Sequence, residues 1–82
     1  MSDFDRELAK CIGTAASKTG AISRDLVASC YKNVSLLLGS VESNEVSEKW
    51  IDFLVDRLSD LRIEGRGSEQ IAKGVFEKIA KT

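Results

Sequence analysis

Apolar residues recur every three or four positions through most of this chain, the spacing of an α-helix that buries one face. Placing successive residues about 100° apart predicts four such helices. Their spans are about 3–18, 23–38, 44–63 and 68–80. In the first, Phe4, Leu8, Cys11, Ile12 and Ala15 share a face. Lys18 suits the negative pole of the helix dipole there, and Gly20 can end the helix in a left-handed cap. Ser23 is a favourable N-cap for the second helix, with Asp25 in its first turn and Gly39 at its end. That helix gathers Leu26, Val27, Cys30, Tyr31, Val34, Leu37 and Leu38 on one side. Leu37 is therefore expected in the core.

The third helix, capped by Ser43 or Asn44, has an unusually broad apolar arc of roughly 200°. Val46, Trp50, Phe53, Leu54, Leu58 and Leu61 hold its middle, which places Trp50 and Phe53 in the core. Ile51 and Val55 lie at its edge beside acidic residues, where an exposed apolar strip is expected. A helix this apolar is packed by neighbours on two sides or shares a face with another chain. Glu64 to Ser68 reads as a glycine-rich turn, with Ser68 capping the last helix. Ile71, Ala72, Val75, Phe76 and Ile79 are its buried set, and Lys73, Lys78 and Lys81 lie outside with Gln70 and Glu77. Four amphipathic helices with short connections predict an all-α, four-helix bundle-like single domain over residues 1–82.

Composition agrees with a helical globule: 43% hydrophobic, 30% charged and no proline. Eighty-two residues are near the size at which one core is only just sufficient. Twelve basic and thirteen acidic residues give a net charge of −1. So even a balance argues against nonspecific nucleic-acid binding and against an all-over mimic of DNA. Cys11 and Cys30 cannot supply the disulfide framework of a small secreted domain, and both sit on apolar faces as expected buried thiols. The opening MSDFDRELAK lacks a signal-peptide pattern, and the longest apolar run is Leu36 to Leu38. A cytoplasmic location without membrane contact is expected.

Catalytic chemistry finds little material. Histidine is absent, which removes the commonest general base and metal ligand. Nothing in the local sequence would activate Cys11 or Cys30 as a nucleophile. Gly65-Arg66-Gly67-Ser68 lacks the spacing and lysine of a phosphate-binding loop and reads as a connector. Asn33-Val34-Ser35 matches a glycosylation sequon but falls inside a helix. No enzyme activity, cofactor or metal is expected.

The acidic residues, by contrast, follow a pattern. Glu48, Asp52, Asp56 and Asp60 succeed one another at about one helical turn, and each like-charge pair costs about 0.2–0.5 kcal/mol. Glu45 with Lys49, Lys49 with Asp52 and Arg57 with Asp60 have the spacing to relieve part of this, whereas Asp56 has no basic partner on the helix. Residues 40–60 hold six acids and two bases, and residues 61–82 hold five bases and three acids. The row is then solvated, neutralised by the last helix, or free to meet a basic partner. Carboxylates stacked along one helix do not encircle a metal ion.

The functional expectation is a non-enzymatic helical protein–protein interaction module. Its partner would be a protein with a basic surface, or a second copy of the chain. Contact would run through Glu48, Asp52, Asp56, Asp60, Ile51 and Val55. Small acidic-faced helical proteins serve as inhibitors, immunity proteins and phage or plasmid accessory factors, an analogy of size and shape alone. A regulatory or inhibitory role of microbial or phage type is the expectation added to it. The alternative is a nucleic-acid-binding domain using Lys73, Lys78 and Lys81 on the last helix. Glu69 and Glu77 dilute that face, and the helix has no arginine for bidentate base reading.

Overall fold

All four expected helices form in the computed structural model, which describes residues 3–39 and 44–80. They are α1 (Asp3–Thr19), α2 (Arg24–Leu37), α3 (Asn44–Leu58) and α4 (Ser68–Ala80), with no strand among the described residues. The fold is an all-α, four-helix bundle-like domain. Its radius of gyration of 11.6 Å is that of a packed chain of this length, about 12 Å.

Local signals account for most helix ends. Asp3 and Asp5 lie in the first turn of α1 and Lys18 in its last, each favourable to the helix dipole. Gly20 follows at φ +80°, its N–H donating to the Ala16 carbonyl, so the left-handed stop forms as expected. Ser23 caps α2: its hydroxyl oxygen accepts from the Leu26 N–H at 3.2 Å. The cap of α4 is displaced by one residue, since the Ile71 N–H bonds the Gly67 carbonyl and makes Ser68 the first helical residue. The Ser43 or Asn44 cap of α3, like Lys81, lies outside the described side chains.

α3 stops at Leu58, short of the expected end near Ile63. The Ser59 hydroxyl donates to the Asp56 carbonyl at 2.8 Å, and the Leu61 N–H takes the Leu58 carbonyl at 3.1 Å. Side-chain competition of this kind favours a helix end. The chain then turns inward, so that Leu61 and Ile63 pack against the core instead of extending the helix.

α1 packs most extensively on α4 and next on α2, and the contact between α3 and α4 is the smallest of the four. The buried side of α1 is Leu8, Ala9, Ile12, Gly13 and Ala16, rotated from the expected face so that Cys11 and Ala15 are only half-buried. Small residues cause this rotation. A Cβ at Gly13 would lie 2.6 Å from the Ser68 carbonyl oxygen and 2.8 Å from the Ala72 nitrogen. The backbone of α4 therefore rests directly on α1. Val27, Cys30, Tyr31 and Val34 from α2, with Ile71, Val75 and Ile79 from α4, complete this side of the core, and no polar or charged residue is buried among the described residues. Phe4 meets Tyr31 edge-on at 5.3 Å.

Leu37 corrects an expectation. It is 71% exposed. It stands on the rim of an open groove, which α1 lines with Glu7, Lys10, Cys11, Thr14 and Ala15. Charged and short side chains leave nothing there to cover a leucine.

A denaturant series tests this packing. Glycine inside a helix normally costs about 0.5–1 kcal/mol relative to alanine, yet Gly13→Ala is expected to destabilise by about 1–3 kcal/mol because backbone must move. At Gly74 the obstacle is only the Leu61 side-chain tip, 2.8 Å from where a Cβ would stand. Gly74→Ala should stay within about 1 kcal/mol of the parent. Leu54→Ala should cost about 2–5 kcal/mol and Leu37→Ala no more than about 0.5 kcal/mol. A Gly13→Ala protein as stable as its parent would disprove the close approach of α1 and α4.

Candidate protein-interaction surface on α3

The broad apolar arc of α3 is split between core and solvent. Ile51, Leu54 and Leu58 are buried, and half-buried Val55 packs against them. Val46, Trp50 and Phe53 face outward, at 45%, 40% and 42% exposure. The expected assignment is thus reversed: Ile51 and Val55 belong to the inner side, and Trp50 and Phe53 to the outer one.

Packing on either flank explains the reversal. α4 meets the end of α3, where Arg57 Nη2 donates a long hydrogen bond of 3.4 Å to the Lys78 carbonyl, and Leu61 just beyond it lies over Gly74. The contact between α3 and α4 is the smallest of the four between helices. On the other flank, Arg24 at the start of α2 donates to Glu48 at 2.6 Å and to Asp52 at 2.9 Å. This clamp draws the acidic edge of α3 toward α2. With Ile51 and Leu54 inward, helical geometry turns Val46, Trp50 and Phe53 away from the core.

The outward residues form an ordered strip. Trp50 and Phe53 meet edge-to-face, with ring centroids 5.8 Å apart and planes at 85°. The Arg57 guanidinium lies 5.9 Å from the centre of the Phe53 ring. Its Nε is buried without a hydrogen-bond partner, so Phe53 and the Lys78 carbonyl are what hold this cation. The strip presents a tryptophan, a phenylalanine and an arginine at consecutive helical spacings.

The acidic row does not survive as one line. Glu48 and Asp52 are engaged by Arg24, whose guanidinium is held above its usual pKa first by the hydrogen bond to Asp52 and then by that to Glu48. Both acids and Arg24 are largely exposed, so salt screens the clamp. Asp56 continues on the helix, whereas Asp60 falls in the turn after it. These two border a cleft with Arg57, Arg66, Glu77 and Lys78, where the signs are mixed. Lys49 approaches Glu45 at 3.9 Å, the pairing its spacing predicts. Arg57, expected beside Asp60, lies instead over Phe53.

Of the alternative basic face on α4, Lys73 is exposed and Lys78 half-buried beside Asp56, Asp60 and Glu77. Among the described residues no group of three or more histidine, cysteine or acidic side chains is placed to hold a metal ion. No described helix is long and apolar enough to cross a membrane. Comparison with known proteins finds no matching family model, no matching curated protein and no matching solved structure.

Val46, Trp50, Phe53, Arg57 and Arg24 are thus surface residues that sequence reasoning missed. The width of the α3 arc signalled more apolar surface than one neighbour can cover, but periodicity does not say which half turns outward. Arg24 carried no signal, because its acids are 24 and 28 residues away.

A double-mutant cycle on Arg24→Ala and Asp52→Ala should show favourable coupling in unfolding free energy, shrinking as salt is raised toward about 1 M. Strict additivity at low salt would show that the clamp does not form.

Proposed function

We propose that this chain is a non-enzymatic interaction module that docks on a protein partner through the outer face of α3. The observation that carries this reading is the exposed strip of Val46, Trp50 and Phe53, with Arg57 against the Phe53 ring. Tryptophan and arginine are enriched among residues that dominate binding energy, and an apolar strip bordered by charge is the usual make-up of an interface core and rim. The partner offers an apolar cleft for Trp50 and Phe53. Its rim carries basic groups opposite Asp56, since Glu45 on the same arc is already approached by Lys49. Such charge steers encounter more than it strengthens the complex.

A second copy of the chain fits this surface less well. Two α3 helices paired antiparallel about a two-fold axis would bring the flank carrying Glu45 and Asp56 against its own copy, like charge on like. The nucleic-acid reading is weaker still, since acids interrupt the basic residues of α4. A small domain that fills another protein's cleft acts by blocking or holding it, and a regulatory or inhibitory role follows from that.

Trp50 is the chain's single tryptophan and reports directly on the strip. In the free protein its emission should be that of a partly hydrated indole, shifting to the blue when a partner captured from the native source covers it. Trp50→Ala or Phe53→Ala should weaken that complex by about 30-fold or more, corresponding to at least about 2 kcal/mol. Helicity should be unchanged. Asp56→Lys should slow association and flatten its salt dependence. A partner bound equally well by all three variants would refute this surface, and a stable homodimer in sedimentation at micromolar concentration would refute the choice of a different protein as partner.

A further inference from the structure

The packing of α1 on α2 brings the chain's two cysteines together. Cys11 Sγ donates to Cys30 Sγ at 2.8 Å, and both are free thiols. Their surroundings differ. Cys30 is 3% exposed. Cys11 is half-buried and lines the open groove between α1 and α2, together with Lys10, Thr14, Ala15 and Val34. One sulfur of the pair is therefore reachable from solvent and the other only through its neighbour.

We propose that Cys11 and Cys30 form a peroxide-reactive dithiol, in which Cys11 meets the oxidant, Cys30 resolves it, and the resulting disulfide pins α1 to α2. In the first step the Cys11 sulfur attacks one oxygen of hydrogen peroxide. The O–O bond breaks, the departing hydroxide leaves as water with the Cys11 proton, and Cys11 becomes a sulfenic acid. In the second step the Cys30 sulfur attacks the Cys11 sulfur and breaks its S–O bond. The hydroxide released leaves as a second water with the Cys30 proton. The two thiols give up two electrons and the peroxide is reduced to two waters.

Geometry sets this order. The groove admits a small oxidant to Cys11, whereas helix and core enclose Cys30. Burial also pushes the Cys30 thiol up to about 12, so it stays protonated until the neighbouring Cys11 is oxidised. Once Cys11 is oxidised, its sulfur is an electrophile already at the side of Cys30. From their present separation the sulfurs need move less than about 1 Å to reach a disulfide bond length of about 2.05 Å. Two helices already in contact allow such a shift without unfolding. This inference is independent of the α3 surface.

The test uses the full chain, reduced, freed of reductant and treated with a small excess of hydrogen peroxide. Expected are an intact mass lower by two hydrogens, loss of both thiols to an alkylating reagent, and a linked peptide pair containing Cys11 and Cys30. Dithiothreitol should reverse all three. The melting temperature should rise by roughly 10 °C, because the cross-link restricts the unfolded chain. In Cys30→Ala the reaction should halt at a Cys11 sulfenic acid that dimedone traps, and in Cys11→Ser the remaining thiol should resist oxidation. Oxygen addition to the parent chain without a cross-link would overturn the proposal. So would a dimer joined through Cys11, or two thiols still free when a urea-unfolded control has reacted. The mass of the parent chain decides even if a variant fails to fold.

Discussion

Everything else in this domain is arranged around the contact between α1 and α4 at Gly13. There the Ser68 carbonyl and the Ala72 backbone occupy the space a side chain would fill. Dispersion contacts at this separation are many and individually small, and they require a surface without projections. Ala9, Gly13 and Ala16 provide it. Once α4 is seated there, α1 has only one further flank to offer, and α2 takes it through Val27, Cys30, Tyr31 and Val34. The juxtaposition of Cys11 and Cys30 is a consequence of that second packing.

α3 is left with the least support. It contributes Ile51, Leu54 and Leu58 to the core, receives a polar clamp from Arg24 on one side and has its smallest contact with α4. A helix in this position cannot bury an apolar arc of roughly 200°, since a single core face takes up little more than half of that. The partly exposed remainder is Val46, Trp50 and Phe53. Tryptophan and phenylalanine left about two-fifths exposed on a small domain raise its risk of aggregation. Their presence opposite a complete core is the physical basis for the proposed partner surface, with the acids beside it as the source of its preferred charge.

The acidic row shows how tertiary packing redistributes a linear pattern. On an isolated helix its members repel their neighbours. In the folded chain two of them share Arg24, and the early end of α3 moves Asp60 off the helix altogether. What had been one row becomes a bridged pair on the α2 side, an outward Asp56, and a turn residue near Arg66 and Lys78.

The sequence by itself determined the helices. Period, caps and glycine stops are local, and the observed spans of α1, α2 and α4 lie within a residue of those expected from them. It also determined most of the buried set of α2 and α4, where one narrow apolar stripe leaves no choice of face. Tertiary structure decided which part of an ambiguous helix turns inward. On α1 the small residues Ala9, Gly13 and Ala16 outcompeted larger side chains, because close backbone approach to α4 required them. On α3 a wide arc was compatible with several rotations, and the reach of Arg24 together with the limited overlap of α4 selected one. The exposure of Leu37 and the meeting of Cys11 with Cys30 belong to the same class. Each depends on what a neighbouring helix offers across the interface, and spacing along one helix carries no record of that.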